Sequence, residues 1–296
     1  MALIIDGKKV SEEIRNEVKE DVLDLKKNRN LVPGLAVVLV GDDPASAIYV
    51  RNKKKGCEEL GIRSYEYTLS SDTSEEKLLA LVDDLNRNGD VNGILVQLPL
   101  PKHINEEKVI NRIDPMKDVD GFHPVNVGKI VIGDDDCFCP CTPFGIQELI
   151  ARTDPNIKGK HLVVVGRSNI VGKPIANMMV QKNDRANCIV TVCHTAAQDI
   201  GYYTKQADIL VVAAGRPNTV TADMVKDGVM VIDVGTNRIP HPDDSSKTKL
   251  VGDVDFEGVS KKASAITPVP GGVGPMTITM LLKNTVKACR LQNGIK

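Results

Sequence analysis

The chain has 296 residues, 42% of them hydrophobic and 26% charged, enough to bury a sizeable core and to build two domains. Its 38 basic and 39 acidic side chains leave a formal net charge of -1, which offers no attraction to nucleic acid or to an anionic membrane. No apolar run reaches the ~18 residues of a membrane span, and Met1–Lys9 is too short and too charged for a secretory leader, so a cytoplasmic protein is expected.

Ser11, followed by Glu12, Glu13 and the apolar series Ile14, Val18, Val22, Leu25, predicts a capped amphipathic helix. Leu35–Gly41 is a continuous apolar run ending in glycine, the pattern of a strand covered on both faces. Ser46–Leu60 is helical in pattern and stops at Gly61; Tyr65–Leu69 reads as a short strand and Ser74–Asn86 as a helix. A second buried strand, Gly93–Leu98, is ended by Pro99 and Pro101, and Glu106–Ile113 forms a short helix. Cys141–Arg152 is a helix linking two halves.

Beyond it the rhythm becomes strand, glycine, helix. The strands are His161–Val165, Ile189–Cys193, Ile209–Ala213 and Met230–Val234, the signature of a doubly wound nucleotide-binding domain. Pro240–Lys249 is a polar hairpin or loop, and Met276–Leu291 is a long final helix after the stiff segment Pro268–Pro275. Seven cysteines, an odd number in a chain this long, argue against a disulfide framework. The alternation Cys137, Cys139, Cys141 lacks zinc-ligand spacing, so reduced thiols and no metal are expected.

After the strand HLVVV comes Gly166-Arg167-Ser168-Asn169-Ile170-Val171-Gly172, then Lys173-Pro174 and a helical run. Small residues here let backbone amides approach a phosphate at a helix N-terminus. Ser168 stands where a strict G-x-G-x-x-G would have its second glycine, and a bare strand-turn-helix is the competing account. An NAD site usually places a carboxylate at the end of the next strand. This one ends in His194-Thr195, with no carboxylate until Asp199; Arg167 and Thr195 suit a 2′-phosphate, so NADP is expected. Tyr49 and Lys53 fall at i and i+4 on one helix face. Spacing alone favours reading Lys53-Lys54-Lys55 as a solvated run, although the helix begins directly after a strand ending in Gly41, where clefts form. Gln97 closes an apolar strand, where a polar group needs a partner.

Several motifs together resemble the bifunctional methylenetetrahydrofolate dehydrogenase/methenyltetrahydrofolate cyclohydrolase family. They are YVRNKKKGCEELGI at 49–62, GILVQLPLP at 93–101, KDVDGFHPVNVG at 117–128, PCTPFGIQELI at 140–150, VVVGRSNIVGKPIA at 163–176, VIDVGTNRI at 231–239, VGDVDFEGV at 251–259 and ITPVPGGVGPMT at 266–277. They run in family order across nearly the whole chain.

The resemblance implies an α/β protein of two domains, each with a mostly parallel sheet flanked by helices, the second a Rossmann-type NAD(P) domain, with a cleft between them. Residues 1–144 plus 277–296 would form the catalytic, folate-binding domain and 145–276 the dinucleotide-binding domain. Lys53 would be the catalytic lysine, Tyr49 its neighbour over the substrate, Gln97 its tuning partner, and Asp120 the group bonded to the pterin. Val96, Gln97, Leu98, Pro270, Gly271 and Gly272 would shape the folate site. Gly166, Arg167 and Ser168 would take the cofactor phosphates, with Thr195 near the 2′-phosphate and Thr236 near the nicotinamide. Thr195 stands where many NADP-using members have Ser, and Thr236 where many have Ile. The implied partners are one-carbon tetrahydrofolates and a second copy of the chain in a homodimer. An NAD-linked, dehydrogenase-only member and a non-catalytic nucleotide-binding protein of the same fold are the alternatives. Lys53 with Gln97 argues against the first, and the full set Tyr49, Lys53, Gln97, Asp120 against the second.

Overall fold

The computed structural model describes residues 2–241 and 244–295, and of Ala45 and residues 244–247 the backbone only. The elements begin with β1 (Leu3–Ile4), α1 (Gly7–Arg29), β2 (Gly34–Val40), α2 (Pro44–Leu60), β3 (Arg63–Leu69), α3 (Glu75–Arg87) and β4 (Gly93–Val96). There follow α4 (Glu106–Arg112), α5 (Pro124–Ile132), α6 (Cys141–Thr153), β5 (His161–Val165), α7 (Gly172–Met179), β6 (Ile189–Cys193) and α8 (Ile200–Thr204). The rest are β7 (Ile209–Val212), β8 (Met230–Asp233), β9 (Asn237–His241), β10 (Asp244–Val251), α9 (Phe256–Val259), β11 (Ala265–Ile266) and α10 (Gly274–Gln292). Two units result: one holds the residues up to Ser11 with Thr142–Thr277, the other Glu12–Cys141 with the residues from Ile278 onward.

In the Glu12–Cys141 unit, β3, β2 and β4 form a three-stranded sheet with β2 central and both pairings parallel. Every residue of β2 is buried, which is why it reads as an unbroken apolar run. α1 turns Ile14, Val18, Val22 and Leu25 inward at helical spacing. It starts at Gly7 rather than at Ser11: Asp6 Oδ1 accepts from the N–H groups of Lys8 and Lys9, while Ser11 lies inside the helix and donates to the Pro275 carbonyl at 3.3 Å. α2 is capped by Asp43, which accepts from Ser46 N–H, carries Pro44 in its first turn, and ends at Gly61 in the left-handed region. The sequence pattern does not predict α5. His123 Nδ1 caps it and Gly133 closes it, but Val125, Val127, Gly128 and Val131 are weak helix formers that mask these signals.

The other unit holds a six-stranded, all-parallel sheet in the order β1-β11-β8-β7-β5-β6. The chain runs from β5 outward to β6 and then returns to β7 on the other side of β5. This is the topological switch point at which doubly wound sheets bind ligands. Because all strands are parallel, their carboxyl ends share one edge. Leu3 and Ile4 of β1 pair with Ala265 and Ile266, so the first eleven residues group with 142–277 and not, as the sequence suggested, with the residues after them. The expected hairpin or loop at Pro240–Lys249 is the antiparallel pair β9–β10, with Pro242 and Asp243 outside the described residues.

Two buried carboxylates brace the ligand edge of this sheet. Asp233 Oδ1 accepts from Gly235 and Asp253 N–H and its Oδ2 from Val254 N–H, while burial pushes its carboxyl up to about 6. Asp253 Oδ2 accepts from Ala214 and Gly215 N–H at 2.7 and 2.8 Å, and its Oδ1 from Asn237 Nδ2 at 2.7 Å. One side chain thereby ties the loop after β7 to the strand β9. Asp253→Ala should strip these donors of their acceptor and lower stability by roughly 3 kcal/mol, read as a fall in Tm; an unchanged Tm would show that the brace carries no load.

Candidate functional site

Within the Glu12–Cys141 unit the lysine run separates by environment. Lys54 pairs with Glu66 at 3.0 Å and Lys55 with Glu59 at 3.8 Å, both at the surface. Lys53 alone is withdrawn from water, 8% exposed. Its Nζ donates to Gln97 Oε1 at 2.6 Å. Gln97 follows β4, where its backbone N–H still bonds to Val38 O of β2, and its own side-chain amide donates to Leu98 O at 2.6 Å. The amide nitrogen being so engaged, the oxygen faces the amine. Burial lowers the Lys53 pKa from its ordinary value, with the charge on Asp120 pulling the other way. Tyr49 stands one turn earlier on α2, 57% exposed. Val96 is buried, and Leu98 and Gln97 are half-buried.

The KDVDG turn is locked from every side. Lys117 is buried and its Nζ donates to the carbonyls of Leu85 and Asn88 at 3.0 and 2.7 Å. Asp118 accepts from the N–H groups of Gly121, Phe122 and His123 and from Asn126 Nδ2. Burial pushes its carboxyl up to about 7, against the pull of the Asn126, His123 and Phe122 donors. Gly121 has φ +76, and a Cβ there would lie 2.6 Å from Pro140 N. Asp120 is the residue this lock presents. It is raised by its own burial, opposed by the Lys53 ammonium and by a hydrogen bond with the Cys141 thiol. Lys53, Gln97 and Asp120 are thus brought together. Cys141 joins them, a residue that the sequence marks only as a reduced thiol although it lies in the PCTP motif.

In the other unit Gly166 follows β5 at the switch point with φ +140, and a Cβ there would collide with the Ala213 carbonyl after β7. A Cβ at Gly172 would collide with the carbonyl of Gly166. The loop is therefore closed tightly on itself, and Ser168 Oγ accepts from the N–H groups of Val171 and Gly172 at 3.1 and 3.3 Å, leaving its hydroxyl hydrogen free to donate. Among the described residues, the backbone N–H groups of Arg167, Ser168, Asn169 and Ile170 have no acceptor. All four residues are exposed. Unpaired amides between the side-chain-free positions Gly166 and Gly172 fit a pyrophosphate. Thr195 after β6 and Thr236 after β8 are exposed at the same sheet edge. In the proline-glycine segment Pro270 is exposed, Gly271 half-buried and Gly272 buried; Gly7 N–H donates to Gly271 O at 3.0 Å.

A lysine-glutamine-aspartate constellation on one unit and a dinucleotide-binding sheet on the other define a two-domain nucleotide-dependent enzyme. Residues 5–120 match the tetrahydrofolate dehydrogenase/cyclohydrolase catalytic domain and residues 140–293 the NAD(P)-binding domain of the same family. The chain belongs to the tetrahydrofolate dehydrogenase/cyclohydrolase family. It is 59% identical over 294 residues, 99% of this chain and 100% of the other, to the bifunctional protein FolD of Chlorobium luteolum. The crystal structure of the bifunctional enzyme FolD, methylenetetrahydrofolate dehydrogenase/cyclohydrolase, from Campylobacter jejuni is similar with a TM-score of 0.91 and 49% identity, covering 99% of this chain and 100% of that one. The Trypanosoma brucei enzyme, solved with NADP cofactor and an inhibitor, has a TM-score of 0.90 and 38% identity, covering 99% of this chain and 98% of that one.

Gly166→Ala should both destabilise the unit and weaken dinucleotide binding at least about tenfold, since the added carbon meets backbone at a φ that disfavours it. Calorimetric titration with the dinucleotide checks this, and unchanged affinity contradicts it.

Proposed function

We infer that this chain oxidises 5,10-methylenetetrahydrofolate to 5,10-methenyltetrahydrofolate with NADP and hydrolyses that product to 10-formyltetrahydrofolate. The observation that carries this reading is the Lys53 amine, buried, bonded to Gln97 at 2.6 Å and lowered from its ordinary pKa.

When bound, NADP supplies the nicotinamide that accepts a hydride from the carbon between two folate nitrogens. Gly166, Arg167 and Ser168 would hold its phosphates, Arg167 with Thr195 the 2′-phosphate, and Thr236 would lie near the nicotinamide. No proton leaves with the hydride, so this step asks for positioning. Hydrolysis of the methenyl cation asks for more. Water loses a proton as it adds, and a ring nitrogen gains one as its bond to carbon breaks. A neutral amine at Lys53 Nζ takes the first proton and returns one. Gln97 Oε1 holds that amine in place and favours its charged form, while the negative charge of Asp120 adds to this and faces the cationic substrate. Tyr49, Val96 and Leu98 flank the folate.

Near-neutral charge supports small folates over nucleic acid as partners, and seven unbridged cysteines support a cytoplasmic setting. A homodimer is supported by the edge strand β6, whose Ile189 and Val192 are 63% and 43% exposed.

With 5,10-methylenetetrahydrofolate and NADP, methenyl absorbance should rise and then decay. Lys53→Met should slow the decay by at least about a hundredfold while leaving dehydrogenation within about tenfold; hydrolysis at the normal rate would end the assignment. The pH profile gives a second check. Hydrolysis rises with pH as the amine loses its proton, and Asp120 raises that amine's pKa. Asp120→Asn should therefore move the rising limb to lower pH, and a limb that stays in place or moves upward contradicts the pairing.

A further inference from the structure

Asn284 lies in the middle of α10 and is 1% exposed. Its side-chain Nδ2 donates to Val119 O at 2.8 Å and to Cys139 O at 2.9 Å, and lies 4.0 Å from Cys141 Sγ. The two acceptors are chosen by position. Val119 directly precedes Asp120, and Cys139 stands two residues before Cys141, whose thiol lies against the Asp120 carboxylate and 3.5 Å from Val119 O. One amide group thus spends both its hydrogens joining the two segments that present the Asp120 carboxylate and its thiol partner. Nothing local in sequence makes this link, since Asn284 is 165 residues from Val119.

We propose that Asn284 is a positioning residue for hydrolysis, acting through Asp120 by clamping the 119 and 139 backbones together. The proposal rests on the reading of Asp120 given above. An isosteric apolar residue would leave both carbonyls without this donor, and a buried unpaired carbonyl draws its segment toward other donors or water. Asp120 would then be held less closely beside Lys53. The groups bearing on the amine from the packed elements are Asp120 and Cys141, both of which favour its charged form, while burial opposes it. Loosening them moves the amine in the same direction as removing the Asp120 charge.

The test uses the full-length enzyme in steady-state hydrolysis of the methenyl substrate across pH. Asn284→Leu and the milder Asn284→Ser are compared with Thr285→Val, a buried neighbour whose hydroxyl donates within α10 to Leu281 O at 2.8 Å. Asn284→Leu should lower kcat for hydrolysis about tenfold and shift the rising limb to lower pH, with Ser intermediate. Thr285→Val should leave the limb in place whatever it does to Tm. In the Asp120→Asn background, Asn284→Leu should add no further limb shift, because its effect passes through that carboxylate. A limb unmoved by Leu and Ser while Asp120→Asn moves it overturns the Asn284 proposal and leaves the Asp120 reading standing. A limb unmoved by Asp120→Asn itself overturns the underlying reading instead. If Leu fails to fold, Ser and the double variant Asp120→Asn/Asn284→Ser decide the question alone.

Discussion

An amine held out of water governs the design of the Glu12–Cys141 unit. Withdrawing Lys53 from solvent disfavours its charge, and the fold offsets that with one fixed acceptor, Gln97 Oε1, and one nearby carboxylate, Asp120. Each partner is itself constrained. Gln97 is tied by backbone to β2 and by its amide to Leu98, and the turn bearing Asp120 is pinned by Lys117, by the donors around Asp118 and by the Gly121 backbone. Such layers hold the amine in a narrow geometry, which the proton transfer proposed for it demands.

The nucleotide unit solves a different problem with the same economy. A parallel sheet puts its loops on one edge, where backbone amides can approach a ligand closely. Gly166 and Gly172 let the loop fold back against the ends of β5 and β7. Asp233 and Asp253 then stiffen the neighbouring loops with buried carboxylate acceptors. Among the described residues, the backbone N–H groups of Arg167, Ser168, Asn169 and Ile170 remain without acceptors at the rim.

Much of this was legible in sequence because it is local. Apolar runs gave β2, β4, β5, β7 and β8, the lysine–tyrosine spacing gave one helix face, and the glycine loop followed directly from its strand. What escaped depends on long-range partners. β1 and β11 have two residues each, too few for periodicity, and exist through their pairing. The start of α1 was misplaced because Ser11 and Glu12 mimic a cap that Asp6 supplies. Spacing could not separate Lys53 from Lys54 and Lys55, since burial decides it. The roles of Asp118, Cys141 and Asn284 were hidden for the same reason: a buried polar residue is explained by its partners, and those lie elsewhere in the chain.

The central claim concerns the protonation of one group, and it can be measured without turnover. Lysine labelled with 13C at Cε, with the Lys53 signal assigned through Lys53→Arg, gives its titration midpoint by NMR in the folded enzyme. The account predicts a midpoint below 10.5, set apart from the exposed lysines and falling further in Asp120→Asn. A midpoint at or above 10.5 would mean that burial does not tune this amine, and the mechanism built on it would fail.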